Sequence, residues 1–517
     1  MKVRFPFFRI RKITLTDFRN IKHGEVDLPN GDLDSFVDDN PSVLGLYGQN
    51  GSGKTSLLMA IDILEGVLTG SKIDYENYAS AIREGCEKCK LSFEFVGYTD
   101  NDDKFEVWYD FCVKKTLRDP EEKHGAFTNS VGEDYLSEDA ADVEVESQLS
   151  NDNSREYLII TDEHIQYSAI SSDGEVHRKQ TLIDTSDEAC VKSKHAFGNK
   201  AKYELFTAGA PDDFAIDDWF NKQRIIAEDR STSFIFSQKV LNNLLAGSKH
   251  MSHVLILKGL SLFGASALFC IDSETTGINN MKGLPLMIRT EKKGEIHVMM
   301  SVLQLVGGCE VRESAYQETI NALNNLNNVL SKLIPGLQLL CIDRGIYRDS
   351  KNIERHKFEI ISDRNGVRIP FLYESDGIRR IVSFLSLLIA VYNNPTVTLV
   401  IDEIDSGIFE YLLGEILTIM GKNARGQLIF TSHNLRPLEV LPPKYLMFTS
   451  VNPNKRFVKL EGISGNNNLR DVYFRNIVLG SGKEAIYEAT DTYDIERALY
   501  AASNHDDYDK DESEEDS

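Results

Sequence analysis

The chain has 517 residues, too many for one simple core, because single hydrophobic cores stop growing at about 250–300 residues. Its 41% hydrophobic and 26% charged residues are those of a folded soluble protein and exclude global disorder. A net charge of −23 excludes a surface that binds nucleic acid everywhere, since phosphate contacts need a basic field where they form, although a local basic groove is compatible with it.

No apolar run reaches the roughly 18 residues of a membrane helix, and the basic opening MKVRFPFFRIRK is interrupted by Arg9 and Arg11 where a signal peptide needs an unbroken core. The seven cysteines are scattered, and the pair Cys86 and Cys89 has no second CxxC or His pair at zinc-site spacing. Reduced thiols, a cytoplasmic location and no membrane contact are the expectation.

In chain order, Ile13, Leu15, Phe18, Ile21, Val26 and Leu28 alternate with polar residues up to a turn at Pro29–Gly31, which predicts a pair of strands. Val43–Tyr47 is a short apolar strand, and TSLLMAIDILEGVL behind it has helical spacing. LSFEFVGY and KFEVWYDF, from about Leu91 to Tyr109, predict a second strand pair. Leu117–Arg155 is acidic and without periodicity and reads as a surface insertion. From Tyr203 to about Leu260 the patterns are mainly helical, including FSQKVLNNLL. Ser314–Ile334 predicts an amphipathic helix on Ile320, Leu323, Leu326, Leu330 and Leu333, opened by a capping box of Ser314 and Gln317 and ended by Pro335 and Gly336. The last third returns to strand and helix alternation: TVTLVID, FEYLLGEILTIM, QLIFTSH and a strand near Tyr445–Thr449. The tail Asp506–Ser517 sets eight acidic residues against Lys510 alone and cannot bury enough apolar surface to order itself. Sustained heptads are absent from the middle of the chain.

The motif that carries chemistry is GQNGSGKT, Gly48–Thr55. Glycines at 48, 51 and 53 let backbone amides turn inward around phosphate oxygens at the positive end of the next helix; Lys54 can reach the β- and γ-phosphates, and Thr55 offers a hydroxyl to Mg²⁺. Such a motif arises by chance in roughly one chain in fifty of this length, but its setting between an apolar strand and an amphipathic helix removes most of that chance. TVTLVIDEID then delivers Asp402 to a metal shell and Glu403 to an attacking water. His433, alone more often structural, ends the following strand at the sheet edge where such folds bind ligands, which favours γ-phosphate sensing.

Strand-GQNGSGKT-helix, LVIDEID and LIFTSH together resemble the ABC-class ATPases of the SMC and RecF type. The resemblance implies an α/β fold, an ABC-type P-loop ATPase head with a mixed sheet and flanking helices, plus a helical insertion domain. With the residue patterns it divides the chain into 1–110, the N-terminal part of the core; 111–340, which matches nothing in the family and reads from its own residues as an acidic loop and then a mainly helical insertion; 341–480, the C-terminal part with signature, acid strand and switch His; and 505–517, read from its composition as a disordered acidic tail. YESDGIRR, Tyr373–Arg380, stands where the family's signature loop belongs, so Ser375 and Gly377 are implied to close over ATP held by the Lys54 of a second copy in a head-to-tail homodimer. DFRNIK resembles the family's first strand and implies Arg19 beside the nucleotide. ATP is thereby expected on Gly48, Asn50, Gly51, Ser52, Gly53, Lys54, Thr55 and Ser56 with Arg19, Ser375 and Gly377; Mg²⁺ on Thr55 and Asp402; and catalysis on Lys54, Glu403 and His433. The family's Q-loop glutamine has no clear counterpart, Gln166 being a guess, and the signature departs from LSGGQ.

The gap of some 320 residues between Lys54 and Ser375 is unlike transporter domains, missing heptads exclude SMC-type arms, and the approximately 80 residues after His433 hold no nuclease motif beyond DYD at Asp507–Asp509. DEIDSGIFEYLLGEIL most resembles the PtuA family, ATPases of Septu and retron anti-phage systems. That resemblance implies an assembly of higher order with a separate HNH nuclease and, in a retron, a reverse transcriptase and its msDNA. An ATP-dependent scaffold and a DNA-repair ATPase stand as alternatives, the latter suited to the fold but not to the charge.

Overall fold

The computed structural model describes residues 5–118, 155–185, 216–246, 251–271, 283–292, 295–459, 469–479, 484–488 and 491–503. The sheet that positions the phosphate loop has the order β18-β17-β3-β16-β15-β8, formed by β3 (Ser42–Tyr47), β8 (Leu268–Ile271), β15 (Thr398–Ile401), β16 (Gln427–Thr431), β17 (Leu446–Thr449) and β18 (Phe457–Val458). The pairings among β8, β15, β16, β3 and β17 are all parallel, and only β18 runs antiparallel to its neighbour. β3, β15, β16 and β17 are buried at every residue, which is why they read as unbroken apolar runs and not as alternation.

A second, antiparallel sheet has the order β2-β1-β4-β5-β6-β7 and comprises β1 (Phe7–Phe18), β2 (Ile21–Asp27), β4 (Lys88–Tyr98), β5 (Lys104–Arg118), β6 (Arg155–Ile170) and β7 (Val176–Asp184). The helix Lys54–Thr69 belongs to the same core as the inward faces of this sheet, burying Leu57, Leu58, Ala60, Ile61, Ile63, Leu64, Val67 and Leu68. A helix apolar on most of its circumference is one packed on several sides. Two buried links hold the sheets together. Arg9, fully buried on β1, donates to the carbonyls of Asn40 (3.2 Å) and Arg425 (2.6 Å) and lies 4.4 Å above the Phe36 ring. Gln427 donates to Ser42 Oγ at 3.0 Å and to the Ile10 carbonyl at 2.9 Å and accepts from Thr398 Oγ1 at 3.2 Å.

A third unit sets the strands β11 (Cys309–Arg312), β12 (Leu337–Arg348), β13 (Glu354–Arg364) and β14 (Val367–Pro370) and the hairpin of β9 (Gly283–Lys292) and β10 (Glu295–Gln304) around the helix Glu313–Leu333. The expected strands and helices before Tyr109 and after Thr398 are present, and all of FSQKVLNNLL but its first two residues lies in the helix Gln238–Ala246. The mainly helical content expected of 111–340 is corrected: the described residues there also contribute β6 to β11. In β6 the inward positions are Leu158 and Ile160, then Glu163, Ile165, Tyr167 and Ala169; an irregularity opposite Asp110–Cys112 shifts the alternation and masks the strand pattern. The capping box is also corrected. The helix starts at Glu313 with Arg312 at the N-cap, where no side-chain capping bond forms, and Gln317 donates to Asn321. The acidic stretch 119–154 and the tail 505–517 lie outside the described residues. Among the described residues no helix is long and apolar enough to cross a membrane.

Candidate functional site

The site forms where β3, β15 and β16 end at one edge of the parallel sheet. Leaving β3, the chain turns through Gly48–Gly53 and enters the helix at Lys54, with Gly51 at φ +75° and Gly53 at φ +101°. These left-handed conformations cost glycine little. Gly48 is needed for a second reason, because a Cβ there would stand 1.8 Å from Thr449 Oγ1. Lys54 is nearly buried, and its ammonium folds back onto the Gly48 and Gln49 carbonyls at 2.8 and 3.1 Å. Burial lowers its pKa, opposed by the fields of Asp402, Glu403 and Asp405.

From the far side of β16, β15 brings in the acid pair. Asp402, 6% exposed, accepts from the hydroxyl of Thr431, at the end of β16, and from that of Thr55 at 3.2 Å. Glu403 has φ +49°; its amide donates to Thr431 Oγ1 at 2.8 Å and its carbonyl accepts from Arg380 Nη2 at 2.9 Å. One threonine therefore fixes both acids. Asp405 accepts from the amides of His433 (3.1 Å) and Asn434 (2.9 Å), leaving the His433 side chain exposed at the rim. A loop of inward amides at a helix N-terminus suits a polyphosphate, and a hydroxyl beside a carboxylate is an oxygen donor set that suits Mg²⁺.

The other expected residues fall into four groups. Ser52 and Ser56 are buried in the loop and its helix, Asn50 and Thr55 are exposed, and all belong to this edge. Arg19 sits in the tight turn between β1 and β2 with φ +51° and reaches Met59 Sδ on the phosphate-loop helix at 3.8 Å. Ser375 is exposed and caps the helix Asp376–Asn393, accepting from the Ile378 amide at 3.4 Å. Gly377 has a role inside its own chain: a Cβ would stand 2.6 Å from the Gly407 carbonyl, in the loop that follows the acid pair. Gln166 is corrected. It lies on β6, donates to Thr181, and pairs through Trp108 and Glu94 with Lys12, about three strands and six residues from Phe18, on the order of 20 Å from the β1–β2 turn. The strand beside β15 at the ligand edge is β8.

Several contacts to the loop come from residues the sequence did not single out. Asn20 Nδ2 donates to the Gly51 carbonyl, and its Oδ1 accepts from Ser56 Oγ at 3.5 Å. Thr449, fully buried at the end of β17, shares a 2.5 Å bond with the Ser52 hydroxyl and donates to the Tyr47 carbonyl at 3.2 Å. Gln49 Oε1 accepts from the Glu488 amide at 2.9 Å. The one available signal was adjacency, Asn20 following Arg19 in DFRNIK.

The family model AAA_15, an AAA ATPase domain, matches residues 9–436, a span that runs from β1 past both acids and His433. The chain belongs to the AAA_15 family. As an AAA_15 protein it is an ATPase, with the mixed α/β P-loop architecture expected of it. None of the curated proteins matches the chain. Among solved structures it is similar to the SMC head domain from Thermotoga maritima (13% identity, 88% of this chain and 100% of that one, TM-score 0.32). It is also similar to a Pyrococcus yayanosii Smc head with coiled coil and joint (11%, 91% and 99%, TM-score 0.37) and to the recombination mediator RecF (11%, 87% and 98%, TM-score 0.33).

Proposed function

We propose that this AAA_15 protein hydrolyses Mg²⁺-ATP at a site shared between two copies and uses the cycle to control a separate nuclease. The observation that carries the ATPase part is the junction of Lys54, Thr55 and Asp402 at one sheet edge, with Thr55 and Asp402 joined at 3.2 Å. Gly48, Asn50, Gly51, Ser52, Gly53 and Ser56 hold the phosphates with Lys54, whose ammonium exchanges two carbonyls for phosphate oxygens. Thr55 and Asp402 hold Mg²⁺, which when bound supplies charge neutralisation for the transferring phosphoryl group. Glu403, oriented by Thr431 through its amide, takes the proton of the attacking water, and His433, whose side chain is exposed, senses the γ-phosphate. Arg19 borders the nucleotide, and Ser375, exposed at the start of its helix, completes the site of the second copy, with Gly377 setting the backbone behind it.

The nuclease partner, of HNH type, and a role in anti-phage defence rest on the resemblance of DEIDSGIFEYLLGEIL to the PtuA family; in a retron a reverse transcriptase and its msDNA would join the assembly. Glu403→Gln tests the reading. The variant is expected to bind ATP and to turn it over at least about 100-fold more slowly, and to leave a co-purified HNH subunit unresponsive to ATP. Unchanged turnover would remove Glu403 as the base. Full nuclease control by the ATPase-dead protein would favour an ATP-dependent scaffold.

A further inference from the structure

Arg456 is a cation for which the nucleotide-site reading has no role. It stands just before β18, 20 residues past residue 436, where the family match ends, and is 6% exposed. Its Nη1 donates to the Ser450 carbonyl at 2.7 Å and its Nη2 to the Asn20 carbonyl at 2.6 Å, while Nε is buried without a partner. Its Cγ and Cδ lie alongside the phosphate loop, 3.4 and 3.5 Å from where a Cβ on Gly53 would be. Asn20, which it holds, in turn holds the Gly51 carbonyl.

Buried guanidinium groups are normally balanced by carboxylates. Arg9 has Asp39 and Asp32 in its field, and Arg380 has Glu403, Asp405 and Asp402. No carboxylate pairs with Arg456 among the described residues; the charged neighbour that acts on it is another cation, Arg83. The missing counter-charge is what a polyphosphate seated in the adjacent loop would provide, since the loop's amides and the helix N-terminus already point positive potential at the same place.

We propose that Arg456 is a positioning residue of the nucleotide site, bracing the phosphate loop through Asn20 and contributing a positive charge that bound polyphosphate balances. The proposal rests on the reading of Gly48–Thr55 as the ATP loop. A merely structural Arg456 would pin the β17–β18 turn to the β1–β2 turn, and its loss would lower stability without changing the affinity of the molecules that fold.

The test titrates MgATP into full-length wild type, Lys54→Ala, Arg456→Gln, Arg456→Lys and Asn20→Ala across a salt series, with circular dichroism to score folding. Arg456→Gln is expected to weaken binding about tenfold or more and to flatten its salt dependence. Arg456→Lys, which keeps the charge, should recover most of the affinity, and Asn20→Ala should weaken binding with the salt dependence intact. Folded Arg456→Gln that binds like wild type, or Arg456→Lys as weak as Arg456→Gln, overturns the proposal. Should Arg456→Gln not fold, Asn20→Ala decides: wild-type affinity there overturns it. Failure of the wild type to bind MgATP, or Lys54→Ala binding equally well, overturns the loop reading itself. Wild-type binding lost in Lys54→Ala but kept in Arg456→Gln overturns this inference alone.

Discussion

Thr55 and Asp402 are 347 positions apart in the chain and 3.2 Å apart in space, hydroxyl oxygen to carboxylate oxygen. The parallel order β3-β16-β15 makes this possible, because the strand between them carries Thr431, whose hydroxyl ties Asp402 and the Glu403 amide to the same point. Asp402→Asn keeps one acceptor oxygen, for Thr431, turns an amide donor toward the Thr55 hydroxyl, which can rotate to accept it, and removes the charge a divalent cation needs. Phosphate release with Mg²⁺ should fall on the order of 100-fold, while thermal stability without nucleotide stays at the wild-type value. Chelating Mg²⁺ with EDTA should bring the wild type down to the same rate.

Arg9 joins the two sheets, and its replacement should act on stability and not on chemistry. Arg9→Ala leaves the Asn40 and Arg425 carbonyls without their donor and removes the cation over Phe36. Charge-assisted bonds of this kind are worth about 1.5–3 kcal/mol each, so a loss of about 3 kcal/mol or more is expected in urea unfolding. Nucleotide affinity of the folded fraction should be unaltered.

The elements legible in the sequence were those whose signal is local. β3 with its glycine loop, β15 ending in Asp402 and Glu403, and β16 ending at Thr431 are apolar runs stopped by residues that cannot continue them. β8 was missed because four residues behind a long apolar helix have no pattern of their own; their strand character comes from pairing with Thr398–Ile401. β6 was missed because Glu163 occupies an inward position. Its buried carboxylate accepts from Tyr109, Ser233, Phe234 and Ile235, and the last three of those partners lie about 70 residues further along the chain. In the site, Lys54, Thr55, Asp402 and Glu403 were legible because their residue types are demanded by phosphate and metal. Asn20 acts on the loop's backbone, Thr449 on Ser52 and Arg456 on the backbone of Asn20, tasks that many residue types perform, so only the fold shows them.

Glu65 gives the protein a pH dependence of its own. On the inward helix Lys54–Thr69, it has a pKa raised from 4.5 to about 7, first by burial and then by Asp62, with Cys270 hydrogen-bonded to it and Tyr78 bound to Asp62. Its folded pKa lies above its unfolded one, so the folded state keeps a proton the unfolded state has released. Stability is therefore full below about pH 4.5, falls as pH rises to about 7, and stays lowered above that. Glu65→Gln should remove the slope and raise stability at pH 8 by on the order of 1–3 kcal/mol, at about 1.4 kcal/mol per pKa unit, with little change at pH 5. Urea midpoints at the two pH values check this; parallel losses at both would mean that the carboxylate is needed for packing.

Ser375 and Gly377, two residues apart, should fail in opposite ways. Gly377 packs on the Gly407 carbonyl within one chain, so Gly377→Ala must move backbone and should cost about 1–3 kcal/mol even in an isolated copy without nucleotide. Ser375 is exposed and its known duty is the helix cap, which aspartate performs equally well. Ser375→Asp should then unfold at the wild-type temperature and bind ATP in the single chain, yet place a negative charge where the second copy's nucleotide would dock. Its turnover should fall about tenfold or more, and mixing it with Lys54→Ala, which supplies an intact Ser375 face, should restore part of that rate. Unchanged turnover in Ser375→Asp would place the hydrolysing site within one chain and leave the signature helix a purely structural role.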